Sequence, residues 1–95
     1  LKRLVTLAPR VAAFQCQLGS LLVNDRRWQE ALPYLYRGLM AGFPDAEPHG
    51  KLGLALWNLK RYQEAESAFK RAAQRNSSEP SYEQWRQRCA LASSS

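Results

Sequence analysis

The chain has a single histidine and two cysteines, so few side chains could carry out catalysis or bind a metal. Because His49 is the single histidine, metal sites and dyads that require two histidines are excluded. Its spacing to Cys16 and Cys89 resembles no nucleophile–base pair. No CxxC pair is present for a cysteine metal site. The glycines form no phosphate-binding loop. We therefore expect a protein that is not an enzyme and that uses no cofactor or metal.

Both cysteines fall in predicted helices among apolar neighbours. Free cysteine is one of the most buried residue types, so we expect two reduced, buried thiols, with a disulfide or redox role as the alternative. Reduced thiols are typical of a reducing compartment, and we expect the cytoplasm. No stretch approaches the roughly 18 consecutive apolar residues of a membrane span.

These residues belong to a sequence that repeats itself after 34 positions, because residues 12–45 align with 46–79 without a gap. A fixed period of this length is typical of a solenoid, in which each unit buries its apolar face against the next. The identical positions are Ala12/Ala46, Leu18/Leu52, Gly19/Gly53, Leu22/Leu56, Asn24/Asn58, Arg27/Arg61, Gln29/Gln63, Glu30/Glu64, Ala31/Ala65 and Arg37/Arg71.

The repeated residues predict how two helices of a unit pack. Gly19 and Gly53 leave room for a partner helix, and Leu35 and Phe69 supply the large side chain that fills the space. This pattern of Leu-Gly followed by Ala-x3-Leu or Ala-x3-Phe resembles the tetratricopeptide repeat (TPR), a helix–turn–helix unit of about 34 residues. The family signature also contains a Trp, a Tyr and a closing Pro, and this chain has other residues at those three positions. The resemblance implies an all-α fold, a right-handed α-α superhelix of antiparallel helix pairs.

Helical spacing divides the chain into six predicted helices, at about 1–8, 12–24, 28–41, 46–58, 62–75 and 79–92. Pro9 is expected to end the first, because the residue before a proline avoids helical torsions. We predict one domain over residues 1–95. Its parts are the second helix of a truncated repeat (1–11), two complete repeats (12–45 and 46–79), a capping helix (80–92) and a disordered tail (93–95).

The net charge is +6, from 14 basic and 8 acidic residues. The basic residues are scattered, and their densest pairs are Arg26-Arg27, Lys60-Arg61 and Lys70-Arg71. Cations near a helix C-terminus complement the helix dipole, so a solvated surface is the simpler interpretation. A site for acidic peptides or phosphates is the alternative.

In the TPR family the first helices of successive repeats line a concave groove that binds peptides or helices of partner proteins. The resemblance implies that nine residues line such a groove here: Gln17, Ser20, Asn24, Lys51, Leu54, Trp57, Asn58, Trp85 and Arg88. Trp and Arg are common hot-spot residues at interfaces. As alternatives, the two tryptophans pack against each other, and the two asparagines serve as helix C-caps.

The leading hypothesis is a protein–protein interaction module of adaptor, scaffold or cochaperone-like type. Cochaperones of this family hold a chaperone's C-terminal carboxylate with a clamp of Lys, Asn and Arg side chains, and only Lys51 matches that clamp here. A structural or self-association cap of a longer repeat protein is the runner-up. Nucleic acid is not the expected partner. Single-stranded RNA binding of the pentatricopeptide type is a third alternative, which the positive charge and the turn at 40–45 permit.

Overall fold

The computed structural model describes the backbone of residues 2–94 and the side chains of residues 10–94. It contains five α-helices and, within the described residues, no strand: α1 (Lys2–Asn24), α2 (Trp28–Met40), α3 (Glu47–Asn58), α4 (Tyr62–Arg75) and α5 (Pro80–Ser94). Each helix packs against the next one in the chain, and α1 also contacts α3. The predicted all-α fold is therefore confirmed.

The predicted break at Pro9 is wrong, because α1 runs without interruption from Lys2 to Asn24. A proline inside a helix removes one hydrogen bond and crowds a carbonyl, at a cost of about 3 kcal/mol. Helical torsions are disfavoured but not forbidden for the residue before it, so tertiary packing can outweigh this cost. The residues that follow, 10–13, include no Gly, Asn, Asp or Ser that would favour a turn. Ala12 and Cys16 are buried where α1 meets Gly38 of α2, and this packing holds the helix beyond the proline.

The C-terminal helix is longer than predicted. It continues to Ser94, so the expected disordered tail is wrong for residues 93 and 94, and residue 95 lies outside the described residues. The hydroxyl of Ser93 donates to the carbonyl of Ala90 at 3.3 Å, and that of Ser94 donates to the carbonyl of Leu91 at 3.1 Å. Serine hydroxyls that donate to a carbonyl of the preceding turn are compatible with helical torsions. The prediction of a disordered tail did not take such hydrogen bonds into account.

The predicted packing of small against large residues is confirmed in both repeats. A Cβ atom built on Gly19 would lie 2.5 Å from Cγ of Leu35, and one built on Gly53 would lie 2.6 Å from Cε2 of Phe69. Leu35 and Phe69 are almost fully buried. Glycine at these two positions therefore lets the helices approach closely enough for the large side chain to fill the core.

The turns inside the two repeats have the same geometry. Arg26 and Lys60 both adopt left-handed torsions, with φ of 62° and 64°. At each turn the next amide donates to the carbonyl five residues earlier, at 2.8 and 2.9 Å, which is the Schellman pattern of helix termination. Asn24 and Asn58 are the last helical residues, so the left-handed position predicted for them lies two residues further on.

Both cysteines are free and buried, as predicted. Burial raises the pKa of the Cys89 thiol to about 11, and the nearby carboxylate of Glu66 contributes to the shift. Burial is also the main cause that raises the pKa of Cys16, followed by the charge of Asp45. The thiolate is the reactive form of cysteine, so these two buried thiols are expected to be unreactive components of the core.

Candidate functional site

Two adjoining cavities lie along α1, α3 and α5. The first has a volume of about 250 Å³ between α1 and α3, and the second about 360 Å³ between α3 and α5. Glu47 lines both, and we call the pair of cavities the groove. Of the nine predicted residues, five line it: Gln17, Ser20, Lys51, Leu54 and Trp85.

Lys51 connects the first helices of the two repeats. Its Nζ donates a hydrogen bond of 2.8 Å to Oδ1 of Asn24, which is 27 residues earlier in the chain. Both side chains remain accessible, since Asn24 is exposed and Lys51 is half-buried. An ammonium group has three donors, so Lys51 keeps two for a ligand in the second cavity while it holds Asn24.

Trp85 forms one wall of the second cavity and is fixed by other aromatic rings. It stacks on Phe69 with a centroid distance of 5.4 Å and an interplanar angle of 10°. Trp57 meets it edge to face at 5.4 Å, and Tyr62 meets Trp57 at 5.0 Å. The alternative interpretation of the two tryptophans, mutual packing, is therefore confirmed. Trp85 takes part in this packing and also lines the cavity, whereas Trp57 does not line it.

Two of the predicted polar residues are already engaged inside the protein. The Asn58 amide donates to the carbonyl of Leu54, one turn earlier in the same helix, at 2.8 Å. The guanidinium of Arg88 lies over the ring of Trp85, 5.1 Å from its centroid. A cation over an aromatic face is attracted by the ring quadrupole, so Arg88 steadies the back of Trp85. Neither residue lines a groove cavity.

Tyr82 lines the second cavity, and sequence reasoning missed it. A Cβ atom built on Gly50 would lie 2.7 Å from Cε1 of Tyr82, so the absence of a side chain at Gly50 makes room for this ring. Burial is the main cause that raises the pKa of Tyr82, and the charges of Glu47 and Glu79 add to it. Its position three residues before Trp85, on the same helix face, was the signal that could have identified it.

Two of the three densest basic pairs, Arg26-Arg27 and Lys60-Arg61, lie at the turns, the third lies in α4, and none of them lines the groove. Arg27 forms an ion pair with Glu30 at 2.8 Å, and its counterpart Arg61 pairs with Glu64 at 2.7 Å. These exposed pairs repeat with the 34-residue period and support the interpretation of a solvated surface. Among the groove-lining residues Lys51 is the basic one, and Glu47 and Asp45 are acidic.

Within the described side chains, no group of three His, Cys, Asp or Glu residues is placed to hold a metal ion. No helix in the described part is both long and apolar enough to cross a membrane. His49, the only histidine, lies on α3 and lines neither groove cavity.

Residues 46–78 match the family model of the tetratricopeptide repeat. This segment is a tetratricopeptide repeat. The TPR match begins at α3 and includes all of α4, so Lys51 and Leu54 come from the first helix of a TPR unit. The five-helix arrangement fits a TPR-like fold, and repeats of this family are generally non-catalytic and mediate protein–protein interactions. No curated protein and no solved structure shows significant similarity to the chain.

Proposed function

We propose that the chain is a non-catalytic adaptor or scaffold module whose groove binds a peptide or helix of a partner protein. The observation that carries this proposal is the second cavity, which the basic residue Lys51 lines together with the apolar side chains of Leu54 and Trp85. A rigid aromatic wall with one nearby cation suits a peptide that offers an apolar side chain next to a carboxylate.

The aromatic packing supports this assignment, because it fixes the wall before a ligand arrives. Trp85 is held by Phe69, Trp57 and Arg88 together, and preorganised side chains lose little entropy on binding. The two buried thiols agree with the proposed cytoplasmic location. Lys51 is the residue that supports a cochaperone-like carboxylate clamp. One of its hydrogen bonds is already donated to Asn24.

Selection of a displayed peptide library on the immobilised chain tests the groove. The enriched peptides should carry an acidic residue beside an apolar one. They should bind Lys51→Glu at least about tenfold more weakly, the effect of breaking one charge-assisted contact and leaving like charges opposed. Lys70→Glu makes the same charge change on the exposed surface of α4, outside the groove, and serves as the matched control. Equal binding to wild type and Lys51→Glu would rule out the groove.

A second candidate, self-association, is favoured by an apolar stripe on α1. Val11, Phe14 and Leu21 are 53%, 58% and 60% exposed. One period later Phe14 corresponds to Pro48 and Leu21 to Ala55, both of which are buried. At Phe14 and Leu21 the stripe thus occupies positions that are covered in the second repeat, whereas Val11 corresponds to the exposed Asp45. Sedimentation velocity of wild type and Phe14→Glu distinguishes the two candidates. If the stripe mediates self-association, wild type should be a dimer and Phe14→Glu a monomer. A monomeric wild type would contradict self-association.

A further inference from the structure

A cavity larger than either of the two groove cavities lies on the other side of α3. Its volume is about 570 Å³, and it is bounded by α2, α3 and α4. The α3 residues that line it are His49, Leu52 and Leu56, whereas Lys51 and Leu54 line the groove. At 3.6 residues per turn these two sets project from roughly opposite faces of the helix. We call this space the back cavity.

His49 lines the back cavity and carries a polar atom that is buried below the cavity surface without a partner among the described residues. The side chain is only 5% exposed, and its Nδ1 is buried without a hydrogen-bond partner among the described residues. The pKa of His49 is lowered to about 4, mainly by burial and in addition by the positive charges of Arg75 and Arg71. The imidazole is therefore neutral at pH 7. A buried polar nitrogen with no partner is uncommon in native proteins and calls for an explanation such as a bound group.

The charges around the back cavity are unbalanced. Nη1 of Arg75 donates to the carbonyl of Pro44 at 3.0 Å, which ties α4 to the loop between the repeats and fixes this guanidinium at the edge. Arg71 makes no hydrogen bond or ion pair within the described part of the chain. The acidic residue that lines the cavity, Glu64, is held by Arg61 at 2.7 Å. The cavity is thus lined by two cations and one carboxylate, and that carboxylate is already paired with Arg61, which does not line the cavity.

The remainder of the lining is mixed, with an aliphatic part from α2 and α3 and the polar side chains of Tyr36, Ser67 and Gln74. Leu39, Leu52 and Leu56 contribute aliphatic surface from α2 and α3, and Met40, which also lines the cavity, is 85% exposed. Methionine is flexible and polarizable, and it is common at surfaces that bind peptides. An aliphatic floor with cations beside it complements a ligand that combines an aliphatic side chain with a negative charge.

We propose that the back cavity is a second binding site, distinct from the groove, for an acidic apolar peptide segment of a partner protein. A carboxylate of the peptide accepts hydrogen bonds from Arg71, and an adjacent aliphatic side chain lies on Leu39 and Leu52, next to His49. Since none of these residues lines the groove, the site does not depend on the function proposed for that surface.

Fluorescence anisotropy with a short fluorescein-labelled peptide of Glu and Leu measures this site on the full chain. Arg71→Gln should weaken binding about fivefold, as expected for the loss of one charge-assisted contact at a partly exposed position. Lys70→Gln removes the neighbouring exposed charge, which does not line the cavity, and should change binding less than about twofold. The same peptide with Gln in place of Glu should bind more weakly than the acidic one. Circular dichroism checks that each variant is folded.

Long-range ¹H–¹⁵N NMR spectra of the imidazole provide a second readout. The acidic peptide should shift the ring nitrogens of His49, whereas occupancy of the groove should shift the indole N–H of Trp85. The proposal is overturned if no binding occurs, if Arg71→Gln and Lys70→Gln weaken binding equally, or if only the Trp85 signal moves. In the last case Lys51→Gln should abolish the response, which would support the groove and not the back cavity.

Discussion

The Cα of Gly53 lies directly against the ring of Phe69, so close that a Cβ atom would come within 2.6 Å of Cε2. Alanine at position 53 would gain about 1 kcal/mol of helix propensity. It would also force the ring of Phe69, which is 1% exposed, to move inside a packed core. Overpacking of this kind costs about 1–3 kcal/mol, so the clash outweighs the propensity gain.

We therefore expect Gly53→Ala to lower the free energy of unfolding, measured by urea denaturation. Phe69→Leu reproduces the smaller residue of the first repeat, and in that background the cost of Gly53→Ala should be reduced. A double-mutant cycle measures this coupling. Additive effects of the two substitutions would show that the contact does not limit the packing.

Replacing Lys60 with glycine should stabilise the protein. The residue adopts a φ of 64°, a torsion that costs a residue with a Cβ about 1 kcal/mol and costs glycine almost nothing. Lys60→Gly should therefore raise the free energy of unfolding by about 0.5–1 kcal/mol, and Arg26→Gly should do the same in the first repeat. Lys70→Gly, in the exposed interior of α4, should lower it by about 1 kcal/mol. A loss of stability in Lys60→Gly would contradict the assigned turn.

Acid should destabilise the fold through His49. Its pKa is about 4 in the folded chain and 6.5 ordinarily, so the unfolded state binds the proton more readily. The contribution of the neutral imidazole is complete above pH 6.5 and is lost as the pH falls from 6.5 towards 4, by roughly 3 kcal/mol in total. Urea denaturation at pH 7 and pH 4.5 measures the loss.

His49→Phe is the control for this pH effect, because phenylalanine fills a similar volume and does not titrate. Carboxylates near the surface titrate in both proteins, so the difference between the two acid losses belongs to position 49. The variant should lose clearly less stability than wild type between the two pH values. Equal losses of stability in wild type and His49→Phe would show that protonation of the imidazole does not destabilise the fold.

The two thiols should resist labelling in the native state. Cys16 and Cys89 are 2% and 0% exposed, and burial raises the pKa of both. With Ellman's reagent we expect slow reaction in native buffer, at a rate set by the opening of the fold, and rapid reaction of both thiols in urea. Labelling of Cys89 within minutes under native conditions would show that α5 undocks easily, and equally fast labelling of Cys16 would show the same for the packing of α1 on α2.

The sequence predicted most of the core because the repeat placed small and large residues at matched positions. Gly19 and Leu35 identified the contact between α1 and α2 without any structure, and the same period located Gly53 and Phe69. It failed at Pro9, where a local rule about proline competed with tertiary packing of Cys16 under Gly38. The left-handed turns at Arg26 and Lys60 were also missed, because neither residue type favours that torsion and only the hydrogen-bond pattern requires it.

The candidate site was harder to predict from the sequence. Helix-face reasoning placed Lys51, Leu54 and Trp85 on the groove side, yet it could not show that Asn58 bonds to its own helix or that Trp57 does not line the groove. Those outcomes depend on side-chain rotamers and on how α5 docks. The unsatisfied nitrogen of His49 was equally hidden, since it results from the helices that surround position 49 and not from its neighbours in the chain.

The stacking of Trp85 on Phe69 has a consequence for solubility. Phe69 is buried from one side by its own repeat and is covered on the other by the indole of α5. Any event that detaches α5, whether proteolysis at residues 76–79 or a polar substitution at Trp85, would present a large aromatic surface to water. Contiguous apolar surface of this kind promotes aggregation. The last helix therefore keeps the repeat dispersed as well as folded.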